Sequence, residues 1–169
     1  MCSCCSKTAL WVVIALILTG LFIFLIINLA SPAVLGGTQA ELNSAEGDIL
    51  PNGDNVVFNT VLNNQSSDII YNPVTGEFTI TAPGNYLVSW WFATDGAGPA
   101  INVSFAVDVN GVPYSIASSP IVSGQLSGDA LVTVTTTPTV VTLVNVTGED
   151  VFIPTTPVQA NIVITQVVD

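Results

Sequence analysis

The strictest constraint on the fold of this chain is the alternation of apolar and polar side chains from Ile101 to Val109. A period of two residues is typical of a β-strand with one buried face, because successive side chains of a strand point to opposite sides. Asn110-Gly111 follows directly, and this dipeptide favours a two-residue hairpin turn. We therefore expect Val112 to Ala117 to return as the partner strand, at a sheet edge because Pro113 cannot donate a backbone hydrogen bond.

A second block of sequence predicts two more strands. Thr75-Gly76 gives a turn, residues 77–81 then alternate in polarity, and Pro83-Gly84 interrupts the pattern. The next strand is apolar on both sides, which is typical of a central or interfacial strand. Its two faces are Tyr86, Val88, Trp90 and Phe92 on one side and Leu87, Ser89 and Trp91 on the other.

The C-terminal third is equally rich in β-branched residues. Leu131 to Thr135 and Thr139 to Val146 are expected to form a strand pair around Thr136-Thr137-Pro138, and Asn161 to Val168 a final strand. At least eight strands and almost no helix beyond residue 30 predict an all-β protein, a sandwich or jelly roll.

The charge pattern excludes several functions. The chain has 12 acidic residues and one basic residue, Lys7, and every acid lies at or after Glu41. Such a domain would repel a phosphate backbone, so nucleic acid is excluded as a partner. There is no histidine, so Ser-His-Asp, Cys-His and His-containing zinc sites are excluded as well.

Little catalytic chemistry remains for such a chain. Glu149-Asp150 are adjacent acids in an expected loop, where the ordinary interpretation is solvated surface charge. Calcium held by Asp and Asn oxygens is the metal alternative, because calcium needs neither His nor Cys. The sequence has no spaced Asp-x-Asp-x-Asp loop, so we predict a non-enzymatic protein with no cofactor and assign no metal ligand.

The N-terminal region reads as a membrane-type segment. Residues 9–30 contain no charge and match the roughly 20 apolar residues that span a bilayer, with Trp11 and Lys7 at one end. We predict a hydrophobic α-helix serving as a single-pass signal anchor, with the C-terminus outside. One alternative is a cleaved signal peptide, with small residues at Ser31-Pro32-Ala33. The other is a helix that packs against neighbouring subunits in a filament.

The predicted organisation has four parts: a Cys-rich N-terminus (1–8), the helix (9–30), a spacer with no collagen or heptad repeat (31–53) and a β-domain (54–169). All three cysteines, Cys2, Cys4 and Cys5, lie in the first part. They are candidates for lipidation, intermolecular disulfides or metal capture, and a reduced, unmodified state is equally open.

The residue order resembles a known family. Phe58-Asn59-x-Val61-Leu62-x-Asn64, Tyr71-Asn72-Pro73-x-Thr75-Gly76-x-Phe78 and Pro83-Gly84-x-Tyr86 look like the first half of a C1q-like head, the jelly roll shared with tumour necrosis factor ligands. Val109-Asn110-Gly111-Val112-Pro113 and Thr135-Thr136-Thr137-Pro138 resemble the heads of collagen-like exosporium glycoproteins of spore-forming bacteria. The resemblance implies a C1q/TNF-like jelly roll that packs as a trimer.

Strands that are apolar on both faces also favour a homo-oligomer, since an uncovered second face would expose a large apolar patch. The number three comes from the resemblance alone. The packing-interface candidates are Tyr86, Val88, Trp90, Trp91, Phe92, Val141, Leu143, Val163 and Val167.

Two functions follow from these observations. The first is a trimeric structural protein of a spore or cell surface layer, or of a surface filament. The alternative is a recognition or adhesion module that binds a protein or glycan ligand.

Overall fold

The computed structural model describes residues 11–19, 36–43, 48–100, 102–120 and 123–167. Residues 11–19 form a helix, α1, in the first of two compact units, and the second unit, which we call the head domain, begins at Leu35. The strands of the head domain are β1 (Gly37–Asn43), β2 (Ile49–Leu50), β3 (Thr60–Asn64), β4 (Ile69–Asn72), β5 (Glu77–Ile80), β6 (Gly84–Asp95), β7 (Val103–Val109), β8 (Val112–Ser119), β9 (Ser123–Val134), β10 (Thr139–Asn145), β11 (Val151–Phe152) and β12 (Val158–Val167).

Two antiparallel five-stranded sheets form the head domain. The first sheet has the order β3-β1-β12-β6-β9, and the second has the order β4-β5-β10-β7-β8. A short third sheet pairs β11 with β2. The chain passes repeatedly from one large sheet to the other, at β3/β4, β5/β6, β6/β7, β8/β9 and β9/β10 and between β10 and β12, which is the crossing pattern of a jelly roll. The predicted all-β jelly roll is confirmed.

The core lies between the two large sheets and is built from one side of each strand. On β6, alternate residues from Tyr86 to Phe92 are buried. Aromatic rings fill much of the space: Phe92 stacks on Phe105 from the other sheet at a centroid distance of 4.5 Å. Such inward-facing apolar side chains supply most of the stabilising free energy of a domain without disulfides.

The hairpin that joins β7 and β8 has the predicted turn. Asn110 and Gly111 both have positive φ angles, 54° and 78°, which match the turn type that fits the twist of two antiparallel strands. The Asn110 carboxamide oxygen also accepts a hydrogen bond from the Val140 N–H at 2.8 Å. β8 lies at the sheet edge, as Pro113 indicated.

The predicted strand pair around Thr136-Thr137-Pro138 is wrong. β9 and β10 flank this turn but belong to different sheets, so they do not pair with each other. β9 instead pairs with β6 in register from Gly84↔Val134 to Asp95↔Ser123, while β10 pairs with β5 and β7. The physical reason is that the turn carries the chain across the sandwich, so that β9 pairs along its whole length with the 12-residue β6 and β10 lies between two strands of the other sheet.

The predicted boundary between spacer and β-domain also needs correction. Residues 37–43 were expected in a spacer, but they form β1, which pairs with β12 on one side and β3 on the other. The head domain therefore includes β1 and β2, well before residue 54. A strand in this position is held by its two ladders of backbone hydrogen bonds, so its own sequence need not be strongly apolar.

The predicted hydrophobic helix covers residues 9–30, and only residues 11–19 of it are described. Those residues are helical, and their large apolar side chains are exposed. No helix within the described residues is long and apolar enough to span a membrane. Cys2, Cys4 and Cys5 lie outside the described residues.

Candidate subunit-contact face

The side of the first sheet that points away from the core carries a set of uncovered apolar side chains. Leu87 and Leu131 are register partners on β6 and β9, and they are 40% and 58% exposed. Trp91 lies four residues further along β6, and Val163 and Val167 of β12 are the register partners of Ser89 and Asn85 on the same side of the sheet. We call Leu87, Trp91, Leu131, Val163 and Val167 the contact face.

Several polar side chains on this side of the sheet are paired with one another. The Gln39 amide donates to the Asn161 carboxamide oxygen at 3.4 Å, and the Asn161 amide donates to the Glu41 carboxylate at 3.3 Å. Thr133 likewise donates to Asn85 at 2.8 Å. A second surface could cover these three pairs without separating them, whereas the exposed Asp129 carboxylate, the register partner of Ser89 on the same side, would need to stay in water.

The first sheet also has a depression of about 180 Å³ near its β3 edge. Gln39, Asn63 and Val163 contribute to its walls. Its lining combines polar and apolar residues. The depression could receive a side chain of a neighbouring molecule, but it holds no set of catalytic groups.

Six of the nine predicted packing candidates lie on the other side of their strands. They are less than 5% exposed and form part of the core between the sheets, which removes them from any contact with a second copy. These are Tyr86, Val88, Trp90, Phe92, Val141 and Leu143. Trp91, Val163 and Val167 remain on the contact face.

Two members of the contact face were missed by sequence reasoning, Leu87 and Leu131. The alternation on β6 places Leu87 on the same side of the strand as Trp91, so Leu87 could have been predicted from the sequence. Leu131 could not be assigned to this face because its strand was expected to pair with the wrong neighbour.

A second exposed apolar patch lies on β8, at the corner between the two sheets. Val112, Tyr114 and Ile116 are all more than half exposed. The Tyr114 hydroxyl donates to the Leu131 carbonyl at 2.9 Å, and the Ser115 hydroxyl donates to the Asp129 carbonyl at 3.1 Å. These bonds occupy two backbone carbonyls of the edge strand β9, and they place Tyr114 of the β8 patch beside Leu131 of the contact face.

A partly buried tyrosine, Tyr71, holds the loop that precedes β3. The Tyr71 hydroxyl accepts a hydrogen bond from the Phe58 N–H at 2.7 Å and donates to the Phe58 carbonyl at 2.8 Å. Burial raises the pKa of Tyr71 to about 12, and the hydrogen bond to the Phe58 backbone opposes part of this rise. This hydroxyl is structural, since both of its hydrogen-bonding directions are used by the backbone.

Groups that could carry catalysis or hold a metal are sparse. No group of three or more His, Cys, Asp or Glu side chains comes together within the described part of the chain. A larger cavity, of about 310 Å³, lies at one end of the sandwich and is lined by apolar residues such as Leu42, Leu50 and Ile153. Asp48 and Asp54 lie at this cavity.

Comparison with known proteins identifies the fold. No protein-family model and no curated protein matches the sequence. Among solved structures, the globular domain of zebrafish complement 1qA protein is similar with a TM-score of 0.56 and 20% identity, over 79% of this chain and 96% of that one. Eiger TNF from S. frugiperda is similar with a TM-score of 0.55 and 10% identity, over 80% and 93%. The vertex protein P5 of PRD1 has a TM-score of 0.55 and 11% identity, over 79% and 97%. At these identities the similarity shows the fold, a C1q/TNF-like jelly roll.

Proposed function

We propose that this protein is a non-enzymatic surface head that assembles as a homotrimer and is held by its N-terminal hydrophobic segment. The observation that carries the proposal is the contact face, where Leu87, Leu131 and Val167 are each about two-fifths exposed or more. Apolar groups clustered on one side of a sheet favour burial against another surface, at roughly 25 cal/mol per Å² of area covered.

The arrangement of the two apolar patches favours a closed ring. The contact face lies on the first sheet and the β8 patch lies at the corner beside it, so they are different surfaces of one protomer. When two different surfaces of the same chain meet, the contact is head-to-tail, and it closes into a ring if the rotation allows. Three copies per ring is the number implied by the resemblance to C1q-like and TNF-like heads.

Electrostatics limits how the copies can be held together. The chain has a net charge of −11, and Lys7 is its only basic residue. Head domains therefore have no cationic side chain with which to form ion pairs across an interface, and their like charges repel. We expect apolar burial and hydrogen bonds to hold the trimer, so added salt should strengthen the association by screening the repulsion.

The same proposal places the head at a spore or cell surface, or in a surface filament. Residues 9–30 would insert in a membrane or pack against neighbouring subunits, and Cys2, Cys4 and Cys5 would carry lipid or intermolecular disulfides. The resemblance to exosporium glycoprotein heads supports a spore surface. The three N-terminal segments of one trimer would leave the ring on the same side, which suits both insertion in a membrane and packing against neighbouring subunits.

The test is the mass of the full-length chain in mild detergent by light scattering. We expect three times the 17.5 kDa of one chain after the detergent is subtracted. Trp91→Glu and Val163→Glu should give monomers, because each adds a charge to the contact face. Val74→Glu is the matched control: it adds the same charge to a side chain that is 81% exposed, and it should leave the trimer intact.

A native chain that is monomeric at every concentration would refute the assembly. Trimers of both face variants would refute the choice of face. Negative-stain images separate the two surface roles, since long assemblies of the full-length chain indicate a filament and separate particles indicate an anchored head.

Recognition of a protein or glycan ligand is the second candidate. It is favoured by the exposure of Val74 at the tip of the turn between β4 and β5, an apolar side chain that no neighbour covers. A binding screen against immobilised glycans with the native chain and Val74→Glu would test it. Ligand capture that Val74→Glu abolishes would support recognition, and no capture by the native chain would count against it.

A further inference from the structure

Asp108 is a buried carboxyl group with an oxygen that has no hydrogen-bond partner. It lies on β7, between Thr142 on β10 and Pro113 on β8, and it points away from the core side of its strand. Its side chain is only 8% exposed, and its Oδ1 atom accepts no hydrogen bond. A buried ionised carboxylate is costly unless it is paired, because it loses its hydration shell.

The residues that the structure describes include no basic side chain that could pair with Asp108. Neither β8 nor β10 contains a charged residue, and Tyr114 is the one titratable group on these two strands. The Tyr114 hydroxyl is already donated to the Leu131 carbonyl. Beyond Lys7 the sequence contains no basic residue, so a second copy of the head domain could not provide a cation either.

We propose that Asp108 is a proton-binding switch, so that the head domain takes up a proton at this carboxyl when it folds in mildly acidic solution and is more stable there than at neutral pH. The proton neutralises the charge that the surrounding groups cannot. The head would then suit an environment whose pH falls below neutral, and the property belongs to each protomer whether or not the trimer forms.

The direction of the effect follows from where the proton binds more tightly. Burial raises the pKa of Asp108 above its ordinary value in the folded domain, whereas the unfolded chain keeps the ordinary value of about 3.9. The folded state therefore binds the proton at a higher pH than the unfolded state. This contribution to stability is fully present below the unfolded pKa and is lost as the pH rises through the folded pKa.

The experiment compares thermal unfolding of the native chain and Asp108→Asn, both full length in the same detergent at one protein concentration. At pH 7 the variant should melt higher, by about 3 °C, because it has no charge to bury. The difference should shrink as the pH falls through the raised pKa of Asp108 and disappear below the ordinary value of about 3.9, where both states are protonated. Asp54→Asn is the matched control, since Asp54 is exposed, and it should melt as the native chain does at both pH values.

Three results would overturn the proposal. One is a variant that melts at or below the native temperature at pH 7, and another is a difference that does not change with pH. The third is stabilisation of the native chain, but not of Asp108→Asn, by millimolar calcium chloride at pH 7, which would assign a metal cation to the carboxyl. If Asp108→Asn does not fold, carboxyl-carbon NMR of the native chain decides: one aspartate must titrate above the ordinary range, and its absence refutes the switch.

Discussion

Replacing Asn145 with alanine should destabilise the head domain more than any surface substitution. Asn145 ends β10 and is completely buried. Its amide donates to the Leu50 carbonyl at 2.9 Å and to the Glu149 carbonyl at 3.0 Å, and its carboxamide oxygen accepts from the Thr147 N–H at 3.0 Å. One side chain thus ties β2 to the loop that follows β10.

The expected magnitude follows from these three bonds. Each ordinary hydrogen bond contributes about 1 kcal/mol net, and a buried group left without a partner costs about 1 to 3 kcal/mol. Asn145→Ala removes a hydrogen bond from each of two carbonyls and one N–H, so the free energy of unfolding should fall by about 3 kcal/mol. Water that enters the vacated space would recover part of this loss.

Asn145→Asp separates hydrogen bonding from shape. It keeps the acceptor for Thr147, but its ionised carboxylate faces the carbonyls of Leu50 and Glu149. The destabilisation at neutral pH should therefore equal or exceed that of alanine, and it should lessen as the pH falls, because a protonated carboxyl can donate one hydrogen bond.

The assay is urea unfolding of the full-length chain, followed by tryptophan fluorescence at fixed protein concentration. Asn63→Ala is the control, because Asn63 is exposed on the edge strand β3, and it should change the free energy by no more than about 0.5 kcal/mol. If Asn145→Ala also falls within that range, the inference that this side chain holds the two segments together is refuted.

The remaining predictions concern the core. Tyr71→Phe removes both hydrogen bonds to the Phe58 backbone and should cost about 2 kcal/mol in urea unfolding; an unchanged midpoint would contradict the structural role of this hydroxyl. The pKa of Tyr71 is raised from 10.0 to about 12. The stability that the neutral hydroxyl contributes is therefore present below pH 10 and is lost as the pH rises towards about 12. In thermal melts over that pH range, Tyr71→Phe should lose less stability than the native chain. Gly128→Ala would place a methyl carbon 2.8 Å from the Trp90 ring and 3.1 Å from the Ala117 side chain, and should cost about 1 to 3 kcal/mol. Adding Ala117→Gly should restore part of that loss, and no restoration would argue against direct contact as its cause.

The hairpin of β7 and β8 was predictable because all its information is local. A strict alternation, a turn dipeptide with two positive φ angles and a returning strand lie within twenty residues of each other. β1 was missed for the opposite reason. Its sequence, Gly-Thr-Gln-Ala-Glu-Leu-Asn, has few apolar residues, and β1 is a strand because β3 and β12 flank it on both sides. Those partners are distant in the sequence, so no local pattern contains them.

The contact face also depends on residues that are distant in the sequence. A period of two places Trp90 and Trp91 on opposite sides of β6, but it does not say which indole lies inside. The decision comes from β9: Gly128 is the register partner of Trp90 and has no side chain, which leaves room for the Trp90 ring in the core. The ring centroids of Trp90 and Phe105, which belong to opposite sheets, are then 6.0 Å apart, and the Trp91 side chain lies on the outer side of β6. The surface proposed to bind a second copy is thus set by a glycine on another strand, and Gly128→Ala tests the packing from which Trp91 gains its position.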